Sequence, residues 1–155
     1  MASKRSQIEM TPAEIEAYLN DSHVINIATI GPTGHPHLVA MWYGFVDGKL
    51  AFWTFRKSQK IVNLRRNNKI TCLVESGDSY SELKGVELVG TGRVVEDPDM
   101  VLKIGMSVTS RYNFAGADLN DARPFVEAQV GKRFCVIVDV ERTVSWDHSK
   151  LGGVY

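Results

Sequence analysis

No stretch of this 155-residue chain is apolar for long enough to cross a bilayer, and residues 1–10, with Lys4, Arg5 and Glu9, lack the apolar core of a signal peptide. The expectation is therefore a protein without membrane insertion in a reducing, cytoplasmic compartment. Cysteine is scarce. Cys72 and Cys135 each sit alone in an apolar run, with no second cysteine or paired histidine beside them, and read as small core residues. His23, His35, His37 and His148 are too scattered to form a ligand set by local spacing, so no metal site is expected. Also missing are a glycine-rich dinucleotide fingerprint, a Walker loop, zinc spacing and a Gly-x-Ser-x-Gly nucleophile motif. Charge excess is missing too: 18 basic and 18 acidic side chains cancel, which argues against a broad nucleic-acid surface and makes any bound anion small.

What is present is ordinary in bulk and uneven in detail. A chain of this length fits one domain with its own core, and 44% apolar with 23% charged residues is typical of a globular protein. No repeat or linker divides it, so residues 11–155 read as one domain behind a polar, mobile tail at residues 1–10. Thr11, Pro12 and Glu14 form a capping-box start for a helix to about Asn20, with Ile15, Tyr18 and Leu19 on its apolar face. Strands are expected at residues 24–30, 37–45 and 49–55, with turns at Gly31-Pro32-Thr33-Gly34 and Asp47-Gly48, giving three successive hairpin-linked strands. Further strands are expected at 69–75, 86–96, 133–140 and 143–146, and helices at about 58–67, 98–112 and 122–130. Six or seven strands with few helices suggest a small closed or partly closed barrel with helices at its edges, a mainly β (α+β) fold.

The unevenness is in the charge. Between Arg56 and Lys69 lie six basic side chains (Arg56, Lys57, Lys60, Arg65, Arg66, Lys69) and no acidic one. This run joins an apolar strand to a helix that Ser58 is placed to cap. The first amides of such a helix and its dipole favour a phosphate, to which Lys57 and Lys60 add charge-assisted contacts. The alternative is a solvated basic face with Ile61 and Leu64 turned inward.

The order Gly34-x-Pro36, the apolar strand at 38–43, the Asp47-Gly48 hairpin and Thr54-x3-Ser58-x-Lys60-x2-Asn63-Leu64 resembles the flavin-binding split-barrel superfamily typified by pyridoxamine 5′-phosphate oxidase. More closely, Lys57-Ser58-Gln59-Lys60-x2-Asn63-Leu64-Arg65-Arg66, Gly77-Asp78-x-Tyr80 and the ending Ser145-Trp146-Asp147-His148-x-Lys150-Leu151-Gly152 resemble its actinobacterial branch that binds the deazaflavin coenzyme F420. The likeness runs over about residues 15–152; the order and spacing of the motifs carry it, and no single motif is specific.

The resemblance implies a split β-barrel homodimer with two cofactor clefts at the subunit interface. It implies that Thr54, Ser58 and Lys60, with Arg56, Lys57 and Gln59 as neighbours, hold the cofactor phosphate. Main-chain groups of Leu38, Val39, Ala40 and Met41 would lie along the polar edge of the ring system. Leu38 stands where the oxidase uses a basic residue for flavin phosphate, a departure that favours F420 over FMN. Trp146 would wall the ring, and His148 or Lys150 would meet an anionic tail or substrate; otherwise Trp146 is core and the charges are exposed. Tyr80 and His37 are the proton carriers to consider, but His37 also reads as a solvent-facing strand residue, and no catalytic side chain is assigned. The function implied is hydride transfer from F420 to a small unsaturated organic acceptor. The alternatives are an FMN-dependent oxidase or reductase, or a non-catalytic protein binding flavin, haem or lipid.

Overall fold

The computed structural model describes residues 3–112 and 118–153, so residues 1–2 of the expected tail and residues 113–117 and 154–155 of the expected domain lie outside the described residues. In chain order the elements are α1 (Lys4–Ile8), α2 (Pro12–Asp21), β1 (Val24–Ile30), β2 (Pro36–Trp42), β3 (Gly44–Val46), β4 (Lys49–Phe55), α3 (Gln59–Arg66), β5 (Lys69–Ser76), β6 (Lys84–Val95), α4 (Pro98–Tyr112), α5 (Leu119–Val130) and β7 (Arg133–Asp147). Short 3-10 turns follow β5 (Tyr80–Glu82) and β7 (His148–Leu151). All strand pairs are antiparallel, in the order β2-β1-β5-β6-β7-β4-β3. This is the mainly β split-barrel fold that the sequence suggests.

One expected strand is two. The run at 37–45 breaks at Tyr43, so β2 and β3 lie at opposite edges of the sheet and do not pair as successive hairpins. The cause is the tyrosine. It is fully buried, its hydroxyl donates to the carbonyls of Leu19 (2.6 Å) and Ser22 (3.0 Å), and its amide donates to the Tyr112 hydroxyl (3.1 Å) rather than to a strand. A corner pinned at one residue thus joins the two edges and curls the sheet on itself. The Asp47-Gly48 turn is as expected, with positive φ at both residues (50° and 76°).

The reverse happens at the C-terminal end, where the strands expected at 133–140 and 143–146 are the single strand β7. Against β6 the register steps from Val89↔Arg142 to Gly90↔Val140, leaving Glu141 as the extra residue of a bulge. Gly90 permits it, since a Cβ there would lie 2.1 Å from the Asp139 carbonyl oxygen. The bulge breaks the alternation of apolar residues without ending the strand.

Two apolar clusters follow from strand alternation. Ile25, Ile27, Phe52, Ile70, Val74, Val86 and Val136 fill the barrel with Ile61 and Leu64 of α3. Ala51, Cys135 and Ile137 face outward beneath Val101, Ile104 and Val108 of α4. Both cysteines are buried and free, as their surroundings imply, and burial pushes each thiol up to about 12. The first ten residues, expected as a polar tail, include α1, whose Ile8 is buried, and Met10, whose amide donates to Ser145 Oγ at 3.0 Å. No helix among the described residues is long and apolar enough to cross a membrane.

Candidate functional site

Alternation along β4 turns Thr54 into the barrel with Phe52 and leaves Phe55 exposed at the strand's end. The chain then folds back, with the Ser58 amide donating to the Phe55 carbonyl (3.0 Å), and α3 begins. Ser58 stands at the cap position but does not cap. Its Oγ accepts from the Thr54 hydroxyl at 3.2 Å and makes no bond to the helix amides. The amides of Ile61 and Val62 both donate to the Ser58 carbonyl (3.1 and 3.3 Å). Those of Gln59 and Lys60 have no acceptor among the described residues.

Lys60 completes this arrangement. Its ammonium is half-buried and has no counter-charge among the described residues, and burial lowers its pKa because desolvation disfavours the charged form. Two amides without acceptors, the positive end of a helix dipole and a lysine without a counter-charge among the described residues thus belong to one helix start, a combination that favours a phosphate. The residues present therefore fit the phosphate of a flavin-like cofactor.

The rest of the basic run divides. Arg65 pairs with Glu96 and its guanidinium lies 5.3 Å from the Phe134 ring centroid; Arg66 donates to the Ile30 carbonyl. These two act as the solvated-face reading requires. Arg56 lies 5.0 Å from the same Phe134 ring, and Lys57 is exposed. Gln59 turns along its own helix and donates to Asn63 Oδ1 (2.7 Å), and Asn63, fully buried, donates to Thr29 Oγ1 (3.0 Å). That chain ties α3 to β1 from inside the barrel.

A second group of expected residues meets on the outer face of the sheet. In β2, Leu38, Ala40 and Trp42 point outward, while His37, Val39 and Met41 point toward the barrel core. Leu38, 66% exposed, lines a cavity of about 350 Å³ with Asn26, Ala28, Thr71, Leu73 and Trp146. Trp146 lies flat on Gly85, where a Cβ would come within 2.3 Å of the indole. β2 is an edge strand, so one side of its main chain is unpaired with any strand, as its expected use along a ring would need.

Three other candidates are placed differently from one another. Tyr80 and His148 meet each other, with ring centroids 4.4 Å apart and His148 Nδ1 3.0 Å from the Tyr80 carbonyl oxygen. Lys150 donates to Glu14 (2.6 Å) and to the Glu9 carbonyl (2.8 Å). His37 is half-buried rather than solvent-facing; it pairs with Thr29 across the strands, and its Nδ1 is covered and has no hydrogen-bond partner among the described residues. A larger cavity, about 850 Å³, lies at the far end of β4, lined by Ile15, Leu19, Phe45, Leu50 and Val138, and contains none of the expected residues. Among the described residues no group of three metal-ligating side chains forms.

Sequence reasoning missed Lys132 and Arg133. The Arg56 amide donates to the Lys132 carbonyl (3.0 Å), and Arg133 pairs with Phe55 across β7 and β4, so the turn after α5 stands beside the junction. The only signal was Gly131-Lys132-Arg133 before an apolar run, far along the chain from Arg56.

A sequence-family model described as pyridoxamine 5′-phosphate oxidase matches residues 11–146. The chain belongs to the pyridoxamine 5′-phosphate oxidase family. Among solved structures, this family member is similar to the conserved hypothetical protein Rv2991 of Mycobacterium tuberculosis, with 42% identity, TM-score 0.90, and 99% of this chain and 95% of that one covered. It shares its fold with an F420 reductase (24% identity, TM-score 0.60, 83% and 94% covered). It also shares it with the heme storage protein HutZ of Vibrio cholerae (11% identity, TM-score 0.69, 91% and 99% covered). No curated protein matches the chain.

Proposed function

We propose that this family member is a homodimeric, cytoplasmic oxidoreductase that binds coenzyme F420 and passes a hydride to a small unsaturated organic acceptor in a cleft at the dimer interface. The observation that carries this reading is Lys60, half-buried at a helix start, with no counter-charge for it and no acceptor for the first two helix amides among the described residues. Thr54 and Ser58 shape the turn so that the serine oxygen is drawn away from those amides. When bound, the deazaflavin would supply the hydride chemistry itself. The chain's residues would bind and orient it: the α3 start at the phosphate, the edge of β2 along the ring, and Trp146 as a wall. The apolar Leu38 in place of a basic residue, together with the F420-like motif ending at Gly152, supports F420 over FMN.

The dimer is supported by the outer face of β1, β2 and β5, where Val24, Leu38 and Trp42 are exposed apolar side chains on a continuous sheet. Sedimentation would read a dimer; a monomer at all concentrations would remove the interfacial cleft from the proposal.

The test of the cofactor is direct titration with F420 and with FMN, followed by fluorescence. F420 is expected to saturate the wild-type protein, and Lys60→Ala to lose at least about tenfold in affinity with its melting temperature unchanged. Saturation by FMN alone would give the site to flavin on the same phosphate grip. Binding of either with no turnover across many acceptors would make the protein a carrier.

A further inference from the structure

Strand alternation puts Val86 and Leu88 of β6 in the barrel core and turns Glu87, between them, to the outward face of the sheet. There it stands in one row with Val144 of β7, Leu73 of β5, Asn26 of β1 and Ala40 of β2, the only charged residue among the five. Glu87 is half-buried, and its carboxylate forms neither a hydrogen bond nor an ion pair among the described residues. The side-chain amide of Asn26, also half-buried, has no hydrogen bond among them either.

These two polar groups line the cavity of about 350 Å³ that Leu38 bounds on the β2 side and Trp146 on the β7 side. The indole lies over Gly85, two residues before Glu87 on the same face of β6, and gives the cavity a flat wall beside the carboxylate. The neighbouring charges do not cancel that carboxylate. Glu75, diagonal to Glu87 on β5, has the same sign. Arg142, diagonal on β7, and Arg5, 6.0 Å from the Trp146 ring centroid, are exposed and form no ion pair among the described residues. In an apolar surround a carboxylate without a counter-charge is costly, so a cation gains more there than at an open surface.

We propose that this cavity takes the acceptor by a positively charged nitrogen and that Glu87 sets the preference, so the substrate class is a small planar unsaturated molecule carrying a protonated amidine or amine. The proposal rests on the reading of the outer face as the acceptor's cleft. With the cofactor ring along the edge of β2, Glu87 stands three strand spacings away, about 14 Å, which leaves room for one such molecule between them. An amidinium presents two parallel N–H donors to a carboxylate, and the Asn26 amide oxygen is open to a further donor.

Benzamidine and benzoate, planar probes of one shape and opposite charge, make the test. Each is titrated into the full-length protein while the Trp146 indole N–H signal, assigned by its loss in Trp146→Phe, is followed by NMR. Benzamidine is expected to move the signal and to bind at least about tenfold more tightly than benzoate. Glu87→Gln is expected to weaken benzamidine by about tenfold and to leave benzoate within about twofold. Glu87→Asp, which keeps the charge, guards against a folding defect and should retain the preference for benzamidine. Lys60→Ala should not change the affinity for benzamidine, so the two readings fail separately. Unchanged F420 affinity in Lys60→Ala would sink the phosphate junction alone, and the difference between the probes would still decide Glu87. Equal affinities of wild type for the two probes, an unmoved Trp146 signal, or equal benzamidine affinity in Glu87→Gln and wild type overturns the proposal.

Discussion

Helices α2 and α3 begin with the same kind of residue and use it in opposite ways. At the start of α2, Thr11 Oγ1 accepts from the Glu14 amide (3.2 Å), Glu14 Oε2 accepts from the Thr11 amide (2.7 Å), and Lys150 donates to that carboxylate (2.6 Å). At the start of α3, Ser58 turns to Thr54, and Lys60 has no counter-charge among the described residues. The first helix end is closed by its own sequence and the second is left open. Since a hydroxyl cap is worth about 1 kcal/mol, leaving one unmade next to an unpaired cation is a loss of stability that binding of an anion would recover.

An uncapped helix needs another hold, and the largest expected effect tests which one it is. Asn63→Ala removes the buried amide that links Gln59 to Thr29, leaving Thr29 Oγ1 without its donor inside the barrel. Urea denaturation is expected to show a loss of about 2 to 3 kcal/mol. A loss below about 1 kcal/mol would mean that Ile61 and Leu64 alone seat the helix, and that its two ends differ less than the bonding suggests.

The caps themselves come next. Thr11→Ala is expected to cost about 1 kcal/mol, and Ser58→Ala less than about 0.5 kcal/mol in protein without ligand. Equal losses measured in the same urea series would show that Ser58 caps α3 in solution, and would erase the contrast on which the phosphate reading stands.

The contrast was half visible in the sequence. The Thr11-Pro12-Ala13-Glu14 start was legible because every bond in it lies within four residues, and the structure reproduces it. The basic run and the helix it begins were legible for the same reason. That Ser58 would not cap was not, because the hydroxyl it prefers belongs to the preceding strand. Nor was the split at Tyr43, set by carbonyls of α2 and a hydroxyl of α4, or the approach of Lys132 and Arg133 to Arg56 through a strand pairing. The joining of the last two strands was hidden by a bulge that interrupts the alternation at Glu141. Leu38 and Trp146, expected at one site through resemblance, do share a cavity wall. Tyr80 and His148 meet beside one another, and Lys150 is taken up by the closed helix end.

The smallest expected effects lie in pH, and the two helix starts should respond at opposite ends of the scale. The Lys150 ammonium and the Thr11 amide lower the Glu14 pKa, so its stabilisation is full above the ordinary carboxylate range and is lost as pH falls through the lowered folded value. Burial lowers the Lys60 pKa, so its charge penalises the folded state at neutral pH, and the penalty fades as pH rises from the lowered value toward that of an ordinary lysine. Lys60 is half-exposed, and water screens the effect to a fraction of that expected for Thr11→Ala. In the ligand-free protein Lys60→Met should therefore be somewhat more stable than wild type at neutral pH, with the gap closing in alkali; Glu14→Gln should be less stable at neutral pH, with its gap closing in acid. A Lys60→Met gap of the opposite sign that also closes in alkali would mean that Lys60 already has an anionic partner in solution, and that both helix starts are closed.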